Sequence, residues 1–456
     1  MDLSNYKYYY FLGIGGIGMS AIARYLKDMN QIVYGYDRIQ SVLCQNLEAE
    51  GMKINYVDEV KSIPKEFNSE NALIIYTPAI PKTSNQYNYF IKNGFTIYKR
   101  SQILGLITEN SFNISVAGTH GKTTTSSLIA HLFQYAKLQF GAFLGGISTN
   151  LGSNYFNSNI PDTVPITVIE ADEFDRSFLT LSPNLAIVTS MDADHLDIYG
   201  NGDELKKSFF EFIKNIESNG SLFIKYGLEV PKTKLIDVFT YGIEQGDFKA
   251  TNIRVEDGWF LFDFEAKDEK WDAVKLGIPG VHNIENALAA IAIARRFISN
   301  KQTIINGLKA FKGVKRRFEF IVRKPNFVFI DDYAHHPTEL LAFIESIKLL
   351  YPKAKITGIF QPHLFSRTKD FAVGFAESLS MLDVCILLDI YPARELPLPG
   401  VTSQLVFDMV TSKEKYLSTK QDVIPLLLTL KPELILTIGA GDIDTLILPI
   451  KEALDV

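Results

Sequence analysis

The chain has 456 residues, 46% of them hydrophobic and 21% charged, and a formal net charge of −6. This length predicts two to four domains, and the composition is typical of a soluble globular protein. The chain has no excess of basic residues of the kind that indicates nucleic-acid binding. No apolar run in the sequence has the length of a membrane span. No signal peptide is expected at the N-terminus. Cys44 and Cys385 have no metal-binding spacing, so we expect buried thiols in a reducing cytoplasm.

The first predicted elements are a strand, a glycine-rich turn, a helix and a second strand within residues 8–38. Further strands are predicted at 72–81 and 95–100. Strands that alternate with amphipathic helices indicate a parallel sheet with helices on its faces.

The same pattern restarts near residue 105 and again around Arg317. Between these points we predict strands at 164–172 and 185–194, a β-rich stretch at 220–280 and a helix at 283–298. The chain is therefore predicted to form three α/β domains. Their predicted bounds are 1–106, 107–313 and 314–456.

The first glycine loop is a G-x-G-x-x-G pattern formed by Gly13, Gly15 and Gly18 between a strand and a helix. Glycines let the backbone approach a pyrophosphate, and the helix N-terminus offers N–H donors. Asp37 follows about 20 residues on, where an acidic side chain can bind a ribose hydroxyl. The pattern alone suggests NAD, but its geometry suits any diphosphate, and a tight turn without a ligand is the alternative.

The second glycine loop, AGTHGKTTT, also lies between a strand and a helix. Gly118 and Gly121 free the backbone to wrap phosphate oxygens, Lys122 supplies a charge for the β- and γ-phosphates, and Thr123 offers its hydroxyl to Mg²⁺. The usual pattern has a glycine where this chain has Val116. A chance Gly-Lys-Thr sequence in an ordinary loop is the alternative.

In VIEADEFD, Glu170 ends a predicted buried strand, and Asp172 and Glu173 follow it. A carboxylate at a strand end near a phosphate loop is well placed for Mg²⁺. His195 lies in MDADHLDIYG at the end of a further strand, where capping and solvated loop residues are the alternative.

Six of the seven histidines lie at predicted strand ends or turns, which favours chemistry over a structural role. These six are His120, His195, His282, His335, His336 and His363, whereas His131 is predicted inside a helix. No Cys/His spacing indicates structural zinc.

Two further pairs are candidates for nucleotide contacts. Asn283 and Asn286 are three residues apart on one predicted helix face, so both amides could reach an adenine edge; helix capping by Asn283 is the alternative. Arg316 and Arg317 lie at a domain join, where a guanidinium suits a phosphate and solvation is the alternative.

A series of short motifs, in this order and over essentially the whole chain, resembles the Mur ligases of bacterial cell-wall synthesis. The motifs are FLGIGGIGMSAIARYL, AGTHGKTTT, EADEFDRSF, MDADHLDIYG, GVHNIENALAA, RRFE, DDYAHHPTEL, FQPHLFSRTKDF, YPARELPLPG and GAGDI. That family has no glycine at the Val116 position. The resemblance implies an N-terminal Rossmann-like domain for a UDP-sugar, a central P-loop ATPase domain and a C-terminal Rossmann-like domain that brings the amino acid.

The resemblance also implies roles for individual residues. ATP would contact Gly118, Thr119, His120, Gly121, Lys122, Thr123, Thr124, Asn283, Asn286, Arg317 and Asp332. The UDP-sugar would contact Gly13, Gly15, Gly16, Ile17, Gly18, Asp37, Thr77 and Arg100, and the amino acid would contact Tyr333, His363 and Arg367. Mg²⁺, expected as two ions, would be held by Thr123, Glu170 and His195, and the catalytic set would be Lys122, His195, His335, His363 and Arg367.

MDADHLDIYG and Tyr333 favour the family branch that joins L-alanine to UDP-N-acetylmuramate with ATP, through an acyl phosphate, in peptidoglycan synthesis. The nearest alternative is the ligase that recycles murein tripeptide. In this branch of the family an arginine often follows the histidine of QPH, whereas this chain has Leu364 at that position. This difference leaves open whether the enzyme also accepts glycine or serine in place of alanine. His335 and His363 are candidates for the base that deprotonates the amine, and Lys206 and Lys207 are left outside the predicted site.

The two loops are also compatible with other classes of protein. The first loop could serve an NAD(P)-dependent oxidoreductase, and the second could serve a transport or motor ATPase or a non-catalytic nucleotide sensor. We expect a bacterial cytoplasmic enzyme, a monomer or homodimer, with no nucleic-acid or membrane partner. ATP contacts from two domains imply that the domains close on the substrates.

Overall fold

The computed structural model describes residues 3–160, 163–192, 196–232, 236–267, 269–393 and 395–454, with residues 4, 196 and 197 described by their backbone alone. The described residues form three β-sheets with helices between their strands. The chain divides into two compact units. The first comprises the chain up to Thr251 with Phe264–Trp271 and Glu285–Leu308, and the second comprises Asn252–Asp263, Asp272–Ile284 and the chain from Lys309 onward. The three predicted domain bounds stay predictions.

The first sheet contains the strands β1 (Tyr8–Leu12), β2 (Ile32–Tyr36), β3 (Lys53–Asn55), β4 (Ala72–Tyr76) and β5 (Thr96–Lys99). Its helices are α1 (Ile17–Asp28), α2 (Val42–Ala49), α3 (Asn85–Lys92) and α4 (Arg100–Thr108). All strands are parallel, in the order β3-β2-β1-β4-β5. Every residue of β1 is buried, as expected for a central parallel strand covered on both faces.

The second sheet contains β6 (Phe112–Ala117), β7 (Gly141–Ser148), β8 (Ser153–Asn157), β9 (Ile166–Glu170), β10 (Leu185–Val188), β11 (Ser221–Lys225), β12 (Asp237–Ile243), β13 (Phe248–Glu256), β14 (Trp259–Ala266) and β15 (Glu269–Leu276). The accompanying helices are α5 (Lys122–Tyr135), α6 (Leu196–Tyr199), α7 (Gly202–Lys214), α8 (Val281–Ala294) and α9 (Lys301–Ala310). The order is β15-β14-β13-β12-β11-β10-β6-β9-β7-β8. β6 therefore lies between β10 and β9, and the segments that follow these three strands meet at one edge.

The third sheet contains β16 (Glu319–Lys324), β17 (Phe327–Asp332), β18 (Ile356–Phe360), β19 (Val384–Leu388), β20 (Glu414–Ser418) and β21 (Leu434–Ile438). Its helices are α10 (Pro337–Leu350), α11 (Phe365–Asp370), α12 (Ala372–Leu379), α13 (Ser403–Met409), α14 (Val423–Leu430) and α15 (Ile447–Leu454). The order is β16-β17-β21-β18-β19-β20, with β16 antiparallel to β17. Because β21 lies between β17 and β18, the loops after these parallel strands lie side by side.

Short 3₁₀ helices complete the secondary structure at Leu3–Asn5, Val60–Ser62, Phe174–Thr180 and Asp442–Leu446. No helix in the described part of the chain is both long and apolar enough to span a membrane. The predicted helix near residue 283 begins at Val281 and ends at Ala294. Asn283 therefore lies inside the first turn, and the alternative that it caps this helix is wrong.

The first two sheets share one hydrophobic core inside the first unit. Tyr9 and Phe11 from the first sheet and Ile22 from helix α1 belong to the same buried cluster as Phe143 and Ile169 from the second sheet. Helix α1 packs on β7 and β8. This packing places the glycine loop that precedes α1 close to the end of β9.

Candidate active site

The first glycine loop is stabilised by bonds to the neighbouring strands. Gly13 has φ +87°, and its N–H donates to the Tyr36 carbonyl at 2.8 Å. The Gly15 N–H donates to the Asp37 carboxylate at 2.9 Å. Asp37 therefore stabilises the first glycine loop through this bond, whether or not it also binds a ribose. A Cβ on Gly13 would meet the Thr77 side chain at 2.7 Å, so the structure brings Thr77 to this loop as well.

Arg100 connects the first loop with the second sheet. A Cβ on Gly18 would collide with its guanidinium, and the Arg100 Nη2 donates to Asp172 at 3.0 Å. A cavity of about 120 Å³ lies here, lined among others by Gly18, Arg100, Glu170 and Asp172. The predicted UDP-sugar loop and the predicted metal carboxylate thus border one cavity.

Gly16 and Ile17, the remaining predicted residues of the first loop, begin helix α1, with Gly16 as its N-cap. The Ile17 carbonyl accepts a 2.5 Å bond from the buried Asn154 on β8. No side chain caps the helix, so its first N–H groups are suited to bind an anion.

The second glycine loop follows β6 and ends at the first residue of α5. Gly118 has φ +134° and Gly121 has φ +83°, conformations that favour glycine. The Thr119 hydroxyl forms a hydrogen bond with the Ser190 hydroxyl at 2.8 Å. The His120 N–H donates to the Ser190 hydroxyl, also at 2.8 Å. The segment after β10 therefore fixes the loop in place.

Lys122 points into the loop and carries the most buried ion pair of the site. Its Nζ lies 2.5 Å from the Gly118 carbonyl and 2.8 Å from the carboxylate of Glu173, which has no exposed surface. Burial disfavours the charged ammonium, but attraction to Glu173, Glu170 and Asp172 exceeds that effect and raises the pKa of Lys122. Burial also raises the pKa of Glu173 to about 7, although Lys122 opposes the shift.

Thr123 and Glu170 form the predicted oxygen pair for a metal ion. The Thr123 hydroxyl donates to Glu170 Oε1 at 3.1 Å, and the Gly145 N–H donates to Glu170 Oε2 at 2.8 Å. A hydroxyl and a carboxylate are the hard ligands that Mg²⁺ takes, so these residues fit the ion. Among the described residues no group of three His, Cys, Asp or Glu side chains is arranged for a metal. His195, the third predicted ligand, lies outside the described residues.

Helix α8 brings Asn286 to the second loop. Its Oδ1 accepts a 3.2 Å bond from Thr125, and a Cβ on Gly121 would meet the same oxygen at 2.5 Å. Asn283 donates to the Pro279 carbonyl at 2.6 Å. Thr124, the last predicted loop residue, is buried in α5.

In the second unit, Asp332 ends β17 beside Arg317. Its carboxylate accepts the Phe318 N–H at 2.7 Å and the Ala334 N–H at 2.8 Å. Burial raises the pKa of Asp332 to about 7, while Arg317 and these bonds lower it. The Arg317 guanidinium lies 5.1 Å from the Tyr333 ring centre.

The residues predicted to contact the amino acid, Tyr333, His363 and Arg367, all belong to the second unit. The rings of Tyr333 and His335 are 5.2 Å apart, and those of His335 and His363 are 6.1 Å apart. Arg367 lies on α11, which begins just after His363. Leu364, the unusual residue before that helix, has φ +69°.

The remaining histidines have mainly structural surroundings. His131 is buried in α5 and its Nε2 lies 2.9 Å from the Gly307 carbonyl, in agreement with the prediction. His336 caps α10. His282 lies in the first turn of α8, and burial lowers its pKa to about 4.

The sequence does not predict three contributions to the site. Two come from acidic residues: Glu173 pairs with Lys122, and Asp172 binds Arg100. Both follow Glu170 in the EADE motif, and the density of carboxylates next to a strand end was the available signal. Ser190, which holds the second loop, had no signal of its own.

Three family models match the chain in sequence order: "Mur ligase family, catalytic domain" at 8–111, "Mur ligase middle domain" at 116–294 and "Mur ligase, glutamate ligase domain" at 316–441. Together they account for most of its length. The chain belongs to the Mur ligase family. The resemblance of its motifs and the three-domain α/β architecture are thereby confirmed.

Individual Mur ligases resemble this chain over nearly its full length. The UDP-N-acetylmuramate–L-alanine ligase of Flavobacterium psychrophilum is 49% identical, with 100% of both chains covered. That of Porphyromonas gingivalis is 47% identical, over 98% of this chain and 99% of the relative. The crystal structure of the UDP-N-acetylmuramate–alanine ligase from Thermotoga maritima matches with a TM-score of 0.83 at 27% identity, over 97% of this chain and 98% of that chain.

Proposed function

We propose that this Mur ligase joins L-alanine to UDP-N-acetylmuramate at the expense of ATP, in peptidoglycan precursor synthesis. The observation that carries the proposal is the shared cavity between Gly18 and Glu170. It connects a loop suited to a sugar diphosphate with the edge that also bears Lys122 and Thr123. The full-length identity of 49% to an alanine-adding ligase supports alanine as the acceptor.

In the proposed reaction, the lactyl carboxylate of UDP-N-acetylmuramate attacks the γ-phosphate of ATP, which gives an acyl phosphate and ADP. The amine of L-alanine then attacks the acyl carbon, and phosphate leaves. Both partners of the first step are anions, so the principal task of the site is charge neutralisation and alignment. Lys122 is the cation at the centre of the second loop and would face the transferred phosphoryl group.

Glu173 has a defined part in this proposal. It balances the charge of Lys122 while no phosphate is bound, at a distance of 2.8 Å. Triphosphate oxygens would replace that carboxylate as the partner of Lys122. The ammonium is thus kept ionised and oriented before ATP arrives, which limits the rearrangement needed at the moment of reaction.

Thr123 and Glu170 would hold Mg²⁺, and His195 would contribute to a second site. When bound, the ion neutralises phosphate charge and orients the oxygens. Glu170 is aligned for this by the Gly145 N–H.

The incoming amine must lose a proton, and of the two predicted bases we assign this role to His335. Its Nδ1 lies 3.0 Å from the Tyr333 carbonyl and 3.2 Å from Glu339. Two oxygen acceptors require the proton on Nδ1, so Nε2 of the neutral ring carries the lone pair. Nε2 would accept the proton.

The decisive experiment measures phosphate release with ATP, Mg²⁺ and UDP-N-acetylmuramate, with alanine, glycine, serine and the murein tripeptide in parallel reactions. Mass spectrometry identifies each product. We expect the highest kcat/KM with L-alanine and no release without the UDP-sugar. Release that is independent of the UDP-sugar would contradict the ligase assignment, and preference for the tripeptide would contradict the acceptor.

A further inference from the structure

Arg316, the residue before the predicted ATP contact Arg317, has an unusual backbone conformation. Its φ is +61°, in the left-handed region that long side chains rarely adopt. Its N–H donates to Glu319 at 2.8 Å, and its carbonyl accepts the Tyr333 N–H at 2.7 Å. Surrounding bonds therefore hold this backbone against its own preference, which is a feature of functional segments.

The guanidinium of Arg316 is bound on several sides. Its Nε donates to Asp331 at 3.1 Å, and its Nη2 donates to the Gly439 carbonyl at 2.6 Å. A longer bond of 3.4 Å reaches the Gly441 carbonyl. Asp331 has no exposed surface, and the Thr437 hydroxyl donates to its other oxygen at 2.6 Å. The fork of an arginine suits this set of partners, whereas a lysine could satisfy only part of it.

This buried network is in direct contact with Tyr333. The Arg316 guanidinium lies 5.2 Å from the ring centre of Tyr333, and that of Arg317 lies 5.1 Å from it. Both distances are within the range of cation–π attraction. One tyrosine ring thus lies against two neighbouring arginines, and Arg316 is fixed to the sheet by the buried carboxylate of Asp331.

We propose that Arg316 is a positioning residue: anchored by Asp331 and the carbonyls after β21, it fixes the Tyr333 ring and through it the orientation of Arg317. The proposal rests on the proposed function, in which Tyr333 contacts the amino acid and Arg317 contacts ATP. It also gives a role to the GAGD segment after β21. That segment supplies the two carbonyls that orient Arg316.

The principal test compares Arg316→Lys with Arg323→Lys in the full-length enzyme. Arg323 is a matched control in the same unit, because its guanidinium also lies over an aromatic ring, Phe320, and donates to a glycine carbonyl, that of Gly258. We expect Arg316→Lys to lower kcat/KM for the amino acid about tenfold to hundredfold, the range for misplaced substrate contacts. Arg323→Lys should stay near the wild type, and unchanged kinetics in Arg316→Lys would overturn the proposal.

A second comparison separates positioning from stability. In Arg316→Gly, the left-handed backbone is relaxed but Asp331 is left buried without its cation; adding Asp331→Asn removes that charge. We expect the double variant to recover thermal stability relative to Arg316→Gly and to remain impaired in kcat/KM. Recovery of both properties together would mean that Arg316 is only structural.

A third readout does not depend on catalysis. With 3-fluorotyrosine incorporated, the fluorine resonance of Tyr333, assigned through Tyr333→Phe, should shift or broaden in Arg316→Lys but not in Arg323→Lys. An unchanged resonance would overturn the proposal. Failure of the proposed function would instead appear as a wild-type enzyme without alanine ligation, while this spectroscopic comparison would still decide the role of Arg316.

Discussion

The ammonium of Lys122 lies 2.8 Å from the carboxylate of Glu173, although helix α5 and the three strands β7, β8 and β9 separate the two residues in sequence. In this buried position each charge is stabilised by the other. Together they keep the second loop ready for an anion.

Replacement of Lys122 by alanine should leave the fold intact and remove turnover. The phosphoryl group would lose its main fixed cation, so we expect kcat to fall about 10²–10³-fold. Phosphate release and thermal unfolding should be measured together. Lys249→Ala is a suitable control, because Lys249 pairs with Glu265 at 3.2 Å on a strand away from both loops. Ligation by Lys122→Ala at nearly the normal rate would refute the assigned role.

Replacement of Glu173 by glutamine should increase the stabilisation that ATP confers. In the wild type, phosphate must displace the Glu173 carboxylate from Lys122, whereas the neutral amide competes less. We expect the ATP-induced gain in unfolding free energy to be larger by about 1 kcal/mol, the scale of a charge-assisted contact. Differential scanning fluorimetry across ATP concentrations measures it. An equal gain in both proteins would mean that Glu173 does not compete with phosphate.

The stability of the wild type relative to Glu173→Gln should depend on pH. Burial raises the pKa of Glu173 from its ordinary value of 4.5 to about 7, so the folded state binds this proton more tightly than the unfolded state. The contribution is complete below about pH 4.5 and is lost as the pH rises to about 7. Between these values the wild type should lose roughly 1–3 kcal/mol relative to the variant. Denaturant unfolding at several pH values tests this, and parallel stability curves would contradict it.

The Thr123 hydroxyl should determine the demand for Mg²⁺. Thr123→Val removes the group that lies 3.1 Å from Glu170 and keeps the side-chain shape, so the Mg²⁺ concentration for half-maximal activity should rise about tenfold or more. Thr123→Ser retains the hydroxyl and should remain close to the wild type. Titration of phosphate release with Mg²⁺ measures both. The idea fails if serine and valine behave alike.

The sequence predicted the two glycine loops well because each loop is encoded by adjacent residues. Gly13, Gly118 and Gly121 adopt positive φ angles, as the patterns require, and Lys122 begins a helix as predicted. Spacing within a short segment is enough to fix such turns. The family was also predicted from motifs of this local kind.

The partners of these residues could not be predicted in the same way. The pairing of Lys122 with Glu173, and of Arg100 with Asp172, depends on the register of β9 beside β6. The left-handed conformation of Arg316 has no sequence signal, because neighbouring strands impose it. Distances across the sheet are properties of the fold, and a single sequence contains them only indirectly.

The common core of the first two sheets has a practical meaning for anyone who wishes to dissect this enzyme. Helix α1 packs on β7 and β8, so a fragment that ended after the first five strands would expose a hydrophobic surface to water. Such a fragment would tend to precipitate on expression. Truncated versions intended for ligand screening should therefore retain the second sheet.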